Sequence, residues 1–206
     1  MVALKDNSPR FTPEEYFAWE EQQLERHELI DGQVYAMSGG TINHGRIGIK
    51  VTAMLDAHLD NSACITGNSD VKISILETTD YSYPDASVTC DERDKSGIQY
   101  ITYPCLIVEV LSDSTVRVAS AFAEAYDRSD KFYRYRRNPI LQEYVLVSAK
   151  SISIDLYSKN SLGEWVITQY RSGDTVELKS IHLSFPIERV YRGIEFELVT
   201  STERLN

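Results

Sequence analysis

At 206 residues, with 42% hydrophobic and 25% charged residues, the chain is long enough to form one domain with a substantial core. Its net charge of −10 argues against a broad nucleic-acid-binding surface, which needs positive charge to displace counterions, but is compatible with a local basic groove. The sequence has no apolar run near the roughly 18 residues that span a bilayer, and no apolar signal segment. We therefore expect a cytoplasmic protein without a membrane span.

The first part of the chain carries three local signals of regular structure. In TPEEYFAWEE, Thr12 stands as N-cap with Glu15 three residues later, and this capping box predicts a helix. The dipeptide Asp31-Gly32 lies between two strand-like runs and predicts a β-hairpin. Helical spacing of apolar residues in NHGRIGIKVTAMLDAHLD predicts a long helix, and CITGNSDVKISIL predicts two strands joined by a turn.

The second part alternates between strands and helices. After two acid-bearing strands, YPDASVTC and PCLIVEVLS, the stretch SAFAEAYDRSDKFYRYRR predicts a second long helix. Its expected core positions are Phe122, Ala125, Tyr126, and Phe132 or Tyr133. QEYVLVSAKSISIDLYSK and GEWVITQYRSGDTVEL alternate as strands do, and a short helical turn is expected after Pro186. The order of elements predicts an α/β or α+β fold, a mixed central β-sheet flanked by α-helices, as a single domain over residues 1–206.

One acid occurs in each of the two acid-bearing strands. Asp85 opens the first, and Glu109 lies among apolar residues of the second, where an ionised carboxylate is costly without a partner. The intervening loop is long enough to bring the two strands together, and neighbouring carboxylates repel unless a cation lies between them. Magnesium typically uses one or two carboxylates plus water and phosphate, so the pair predicts a magnesium site.

Metal-assisted phosphodiester hydrolysis also needs a positive group near the developing charge. Leu111 occupies the position two beyond Glu109, so the nearest downstream candidate is Lys131, while Glu28 could orient a metal-bound group from the early hairpin. Each residue also has a structural interpretation. Glu109 could be a buried acid paired with a structural cation, Asp85 could begin a turn, Glu28 could be a strand-edge acid, and Lys131 could pair with Asp127 on the helix surface.

The motifs YPDASV, LIVEVLSDST and AYDRSDKFYRYR resemble those of the Uma2 family of "putative restriction endonucleases", within the PD-(D/E)xK nuclease-like superfamily. FTPEEYFAWEE…HELIDGQVYAMSGGTINHGRI resembles the family's N-terminal half, and NPILQEYVLVS…IDLYSK…GEWVITQY…VELKSI its C-terminal half. The resemblance covers roughly residues 10–197. It implies a restriction-endonuclease-like fold and a magnesium-dependent nuclease site, with manganese as a substitute.

The resemblance also implies roles for individual residues. Asp85 and Glu109 would bind the metal together with the backbone carbonyl of Val110, Lys131 would position the attacking water, and Glu28 would complete the acidic cluster. In the superfamily the lysine usually stands two residues after the strand acid, whereas in this family it has moved to the following helix. This chain departs from the family by the insert 116–123 and by Asp113, where a proline is common.

Two further positions and the cysteines complete the candidates. His44 could contact substrate or pack, and either Asn43 or His44 could cap the helix that follows. Arg134, in the basic run RYRR, could contact DNA or lie on a solvated helix end. The three cysteines, Cys64, Cys90 and Cys105, form an odd count without CxxC spacing, so we expect small buried apolar residues with no disulfide and no zinc site.

Two functions from different classes follow. The first is a magnesium-dependent DNA endonuclease, as a possible homodimer because cutting both strands of a duplex suits two related sites. The second is a nuclease-like fold with weak or no catalysis that acts as a nucleic-acid-binding or assembly protein, and the insert before Lys131 motivates it.

Overall fold

The computed structural model describes residues 10–37, 39–75, 79–96, 99–111 and 130–196. Helix α1 (Pro13–Glu20) begins with the predicted capping box: Thr12 Oγ1 accepts the Glu15 N–H at 3.3 Å, and Glu15 Oε2 accepts the Thr12 N–H at 2.8 Å. The predicted hairpin is also confirmed, as β1 (His27–Ile30) and β2 (Gln33–Ala36). Its turn residues Asp31 and Gly32 have φ of 51° and 77°, the backbone of a type I′ turn.

The described strands form three sheets. The first contains five strands: β1, β2, β4 (Lys72–Ser74), β5 (Tyr81–Ser82) and β7 (Tyr100–Ile101), in the order β2-β1-β5-β4-β7. The second contains six: β3 (Ile65–Asn68), β6 (Ala86–Thr89), β8 (Leu106–Leu111), β9 (Glu143–Ser148), β10 (Ser153–Lys159) and β11 (Trp165–Arg171), in the order β11-β10-β9-β8-β6-β3. A further pair joins β12 (Thr175–Leu178) to β13 (Leu183–Pro186). The predicted mixed sheet is confirmed, because β8 and β9 run parallel and the other neighbours in the six-stranded sheet antiparallel.

Helices cover both faces of the six-stranded sheet. The predicted long helix is α2 (Ile42–Leu59), and it buries Ile47, Val51 and Met54 against the sheet face that includes Val108 and Val110. The other face includes Ile107 and Leu111 and meets the short helix α3 (Phe132–Tyr135) and residues from the five-stranded sheet. A third apolar cluster packs α1 against β1 and β5. The expected helical turn after Pro186 is α4 (Glu188–Tyr191).

The predicted second long helix is described only at its end. A π turn at residues 130–131 leads into α3, where Phe132 is buried and Tyr133 is 59% exposed, so Phe132 is the core residue of the two. The other expected core positions, Phe122, Ala125 and Tyr126, lie outside the described residues, as do Asp113 and the insert 116–123. Among the helices that the structure describes, none combines the length and apolar character that a membrane crossing requires.

The cysteine prediction is wrong for two of the three residues. The sulfurs of Cys64 and Cys90 are joined as a disulfide, and Cys90 is exposed. The reason lies in the sheet: β3 and β6 are antiparallel with Ile65 opposite Thr89, so the next pair outward brings Cys64 beside Cys90. Cys105 is buried with a free thiol, as expected.

Candidate active site

Asp85 and Glu109 lie at the junction of two paired strands. Ala86 of β6 stands opposite Val108 of β8, and continuing this antiparallel register places Asp85 opposite Glu109. Oδ2 of Asp85 accepts the backbone N–H of Val110 at 2.6 Å. The N–H and C=O of one strand residue point to the same strand edge, so the Val110 carbonyl is expected on the Asp85 side as well. The two acids and the backbone of Val110 therefore share one small region.

Glu109 is buried on the face of β8 that meets α3. Side chains alternate along a strand, so Glu109 shares this face with Ile107 and Leu111. It is 4% exposed, whereas the side chain of Asp85 is 15% exposed. An acid in such surroundings requires a partner.

Lys131 supplies that partner. Its Nζ lies 3.1 Å from Oε1 of Glu109 and 3.2 Å from Oε1 of Glu28, and Lys131 itself is only 7% exposed. Glu28, on β1 of the five-stranded sheet, is 2% exposed and is not a strand-edge acid in solvent. The lysine thus contacts one acid from each of the two large sheets. Its predicted surface partner, Asp127, lies outside the described residues.

Tyr83 also contacts Glu28, and sequence reasoning did not single it out. Its backbone N–H donates to Oε1 of Glu28 at 3.2 Å, and its hydroxyl lies 3.2 Å from Oε1 of Glu20. Burial raises the pKa of the Tyr83 hydroxyl above its ordinary value, and the nearby Glu20 raises it further, so the hydroxyl stays protonated as a donor. The signal was present in YPDASV, where the tyrosine stands two residues before Asp85.

His44 also lies next to Asp85. Its Nε2 lies 3.3 Å from Oδ1 of Asp85. The predicted capping role is wrong, since Thr41 is the N-cap of α2 and its Oγ1 accepts the N–H of His44 at 3.2 Å. The imidazole packs closely over Gly40, where an added Cβ would come within 2.5 Å of Nδ1. His44 and Asp85 line a groove of about 690 Å³ whose walls come from α2 and β3.

Arg134 forms a separate ion-pair cluster. Its Nη1 lies 2.5 Å from Oδ2 of Asp80, and its Nη2 lies 2.9 Å from Oδ2 of Asp31 in the β1–β2 turn. Oδ1 of Asp80 also accepts the N–H of Asp31 at 2.8 Å. The guanidinium therefore ties α3 to the hairpin, and its contact with DNA stays a prediction.

The donor set is compatible with a hard divalent cation. Asp85, Glu109 and the Val110 carbonyl offer oxygen ligands, and magnesium needs only one or two carboxylates when water and phosphate complete its shell. Within the described ranges, no group of three or more His, Cys, Asp or Glu side chains is placed to hold a metal. Lys131 lies between Glu28 and Glu109, and His44 contacts Asp85, so both acids already meet cationic or polar groups.

Two proteins are similar to this chain in sequence, and one solved structure is similar to it in fold. An uncharacterized Synechocystis sp. protein, slr1290, is 53% identical over 188 residues, covering 91% of this chain and 95% of its own length. A second Synechocystis protein, sll1609, is 32% identical over 171 residues, covering 82% and 91%. A crystal structure described as a putative nuclease belonging to DUF820, from Anabaena variabilis, superposes with a TM-score of 0.67 at 13% identity, over 88% of this chain and 97% of that one.

The superposition establishes a fold shared with that structure, and the family follows from sequence. The model of the Uma2 family, described as "Putative restriction endonuclease", matches residues 13–188, which include Glu28, Asp85, Glu109 and Lys131. With most of its length matched and a relative at 53% identity, the chain belongs to the Uma2 family.

Proposed function

We propose that this chain is a magnesium-dependent DNA endonuclease that acts through Asp85, Glu109, Lys131 and Glu28. The observation that carries the proposal is the position of Lys131 Nζ, within 3.2 Å of carboxylates from two sheets. An isolated structural ion pair needs one acid. A lysine shared between two buried acids, beside a third carboxylate on the adjacent strand, instead fits a site that handles phosphate and water.

Asp85, Glu109 and the Val110 carbonyl would hold the metal, with manganese as a substitute. When bound, such an ion polarises a phosphoryl oxygen and makes a bound water more acidic. As an ammonium group, Lys131 has three donors and a positive charge, so it can orient the attacking water and stabilise negative charge that develops at phosphorus. If Glu109 turns toward a metal, Glu28 still holds the lysine in place.

Glu28 acts here as a positioning residue for Lys131. Its Oε1 lies 3.2 Å from Lys131 Nζ and accepts the N–H of Tyr83, so two groups hold the same carboxylate oxygen. His44 would contact the substrate from the groove beside Asp85. DNA as the substrate is supported by the family description rather than by charge, because the chain carries a net charge of −10. Any DNA contact must then rest on local cations such as the RYRR run.

A homodimer would place two such sites on one duplex, and β11 offers a surface for it. In the part of the chain that the structure describes, the outer edge of this strand pairs with no other strand, and Val166 and Ile167 are 46% and 54% exposed. Two copies paired antiparallel about Thr168 would set Val166 opposite Tyr170, a favourable aromatic–β-branched pair. Ile167→Lys should shift the sedimentation coefficient from dimer to monomer, and Leu162→Lys, in the preceding turn, should not. A monomeric wild type would contradict the dimer.

The nuclease is tested with supercoiled plasmid in magnesium or manganese. We expect nicking or linearisation by wild type, and loss of at least about a hundredfold in Asp85→Asn and in Glu109→Gln, as for removal of a key electrostatic group. Asp91→Asn is the matched control, since Asp91 pairs with Arg93 in a surface loop. Cleavage that persists in both site variants would refute the proposal.

A second readout does not depend on finding the target sequence. Magnesium should raise the melting temperature of wild type and of Asp91→Asn, but not of Glu109→Gln, because binding to the folded state alone stabilises it. Wild type that gains stability with magnesium and leaves plasmid uncut would instead favour the nuclease-like binding protein. Absence of any magnesium effect in wild type would remove the metal site from the proposal.

A further inference from the structure

Three cysteines converge at one end of the six-stranded sheet. Cys64 directly precedes β3, Cys90 directly follows β6, and Cys105 directly precedes β8. Cys64 and Cys90 form a disulfide, and Sγ of Cys105 lies 3.9 Å from Sγ of Cys90. A disulfide and a free thiol are therefore in contact, at a place separate from the candidate active site.

The backbone pairing of β6 with both of its neighbours fixes this arrangement. The β3–β6 register brings Cys64 beside Cys90. On the other side of β6, the N–H of Cys105 donates to the carbonyl of Val88 at 2.8 Å, and its thiol lies 3.4 Å from the same oxygen. Cys90 thus lies between two potential sulfur partners, one on each neighbouring strand.

We propose that Cys64, Cys90 and Cys105 form a thiol–disulfide exchange site whose disulfide can move from Cys64–Cys90 to Cys90–Cys105. The Cys105 thiol loses its proton to solvent, and its thiolate attacks Sγ of Cys90. The Cys90–Cys105 bond forms as the Cys64–Cys90 bond breaks, and Cys64 leaves as a thiolate that takes up a proton. The oxidation state of the protein does not change in this step.

A dithiol reductant is the external co-reactant for this site. Exposed Cys90 gives such a reagent access to the disulfide. Two electrons and two protons from the dithiol convert the bond to two thiols, and the reagent becomes a disulfide. The three-thiol and disulfide forms are then the reduced and oxidised states of the site.

The Cys64–Cys90 isomer that the structure shows should exchange slowly at neutral pH, because little of the Cys105 thiol is ionised there. Burial raises the pKa of the Cys105 thiol to about 11, and the carboxylate of Glu143, on β9, raises it too, while backbone hydrogen bonds lower it. With this pKa, about one Cys105 thiol in a thousand is ionised at pH 8. Only the thiolate attacks a disulfide. Exchange should therefore accelerate about tenfold for each pH unit between 8 and 10.

The exchange changes how the edge strand is held. β3 is the outermost strand next to β6, and the Cys64–Cys90 bond is its covalent link to the sheet. Thr66 and Asn68 of β3 line the groove beside Asp85. Moving the bond to Cys105 would release one end of a strand that forms this wall, so the position of the disulfide would modify access to the groove.

The test is disulfide mapping of the full chain by mass spectrometry after alkylation. In wild type we expect linked Cys64–Cys90 peptides, and Cys105 alkylated only after denaturation. In Cys64→Ser, oxidised with glutathione disulfide, we expect an intramolecular Cys90–Cys105 bond. Cys105→Ser should keep the Cys64–Cys90 bond, and Cys90→Ser should form no intramolecular bond. If Cys90 of Cys64→Ser is recovered only as a glutathione adduct or an intermolecular dimer, the proposal is overturned.

A measurement on wild type covers the case in which a variant does not fold. The folded protein is held at pH 8, 9 and 10 and quenched in acid before digestion. Peptides linked through Cys90 and Cys105 should increase with pH while circular dichroism stays native, and their absence at pH 10 would refute the exchange. Dithiothreitol should also reduce the folded protein, and a disulfide that resists until unfolding would exclude the external step.

Discussion

Replacing Lys131 by methionine tests whether the two sheets depend on this lysine. Methionine keeps most of the apolar stem and removes the ammonium group, which leaves Glu28 and Glu109 buried at 2% and 4% exposure without their shared cation. Removing one partner of a buried ion pair costs about 3–5 kcal/mol. In a chain of 206 residues, 1 kcal/mol shifts the melting temperature by about 2–4 °C, so we expect a loss of roughly 6–20 °C.

Lys95→Met is the matched control for this experiment. Lys95 pairs with Glu92 at 2.6 Å, but the two side chains are 33% and 78% exposed, so its removal should cost about 0–1 kcal/mol. Thermal unfolding by circular dichroism in magnesium-free buffer compares the two variants. Adding Glu109→Gln to Lys131→Met should recover part of the loss, because one of the two buried carboxylate charges disappears. A Lys131→Met protein that melts within about 2 °C of Lys95→Met would refute this reasoning.

Two further predictions concern His44 and Asp31. An added Cβ at Gly40 would lie 2.5 Å from the His44 ring, so Gly40→Ala should displace the ring and lower the rate of plasmid cleavage about tenfold or more. Gly39→Ala is the control, because an added Cβ there meets open space and should not change the rate. Equal initial rates for the two variants would contradict this prediction. The Arg134 guanidinium holds the pKa of the Asp31 carboxyl below its ordinary value, so this stabilisation is present above about pH 4 and is lost as the pH falls through the lowered pKa. Asp31→Asn should therefore be less stable than wild type at pH 7, by under about 1 kcal/mol because the pair is exposed. The difference between the urea midpoints of wild type and variant should become smaller toward pH 3 rather than larger.

Local signals in the sequence predicted the elements that carry the site. The Asp31-Gly32 turn, the capping box at Thr12 and the strand around Glu109 depend on neighbouring residues only, and the structure confirms all three. The position of Lys131 near Glu109 came from the family resemblance, since spacing alone favoured a surface pair with Asp127.

Other features depend on pairings between distant segments, which no local signal fixes. CITGNSDVKISIL was predicted as two strands, and both exist, but β3 joins the six-stranded sheet and β4 the five-stranded one. The Cys64–Cys90 bond follows from the β3–β6 register, so a cysteine count could not reveal it. Arg134 likewise pairs with residues far away in the chain, namely Asp80 and Asp31.

The attachment of α3 to the β1–β2 hairpin has a consequence for the order of folding. Arg134 reaches Asp31 across 103 residues of chain, and Lys131 reaches Glu28 beside it. The hairpin can form from local contacts, but closing so large a loop is entropically costly and comes late. During synthesis the three acids of the site, Glu28, Asp85 and Glu109, precede Lys131, so a partly made chain holds carboxylates that repel one another. Assembly of the site therefore coincides with completion of the fold, and an N-terminal fragment that ends before α3 should lack the site altogether.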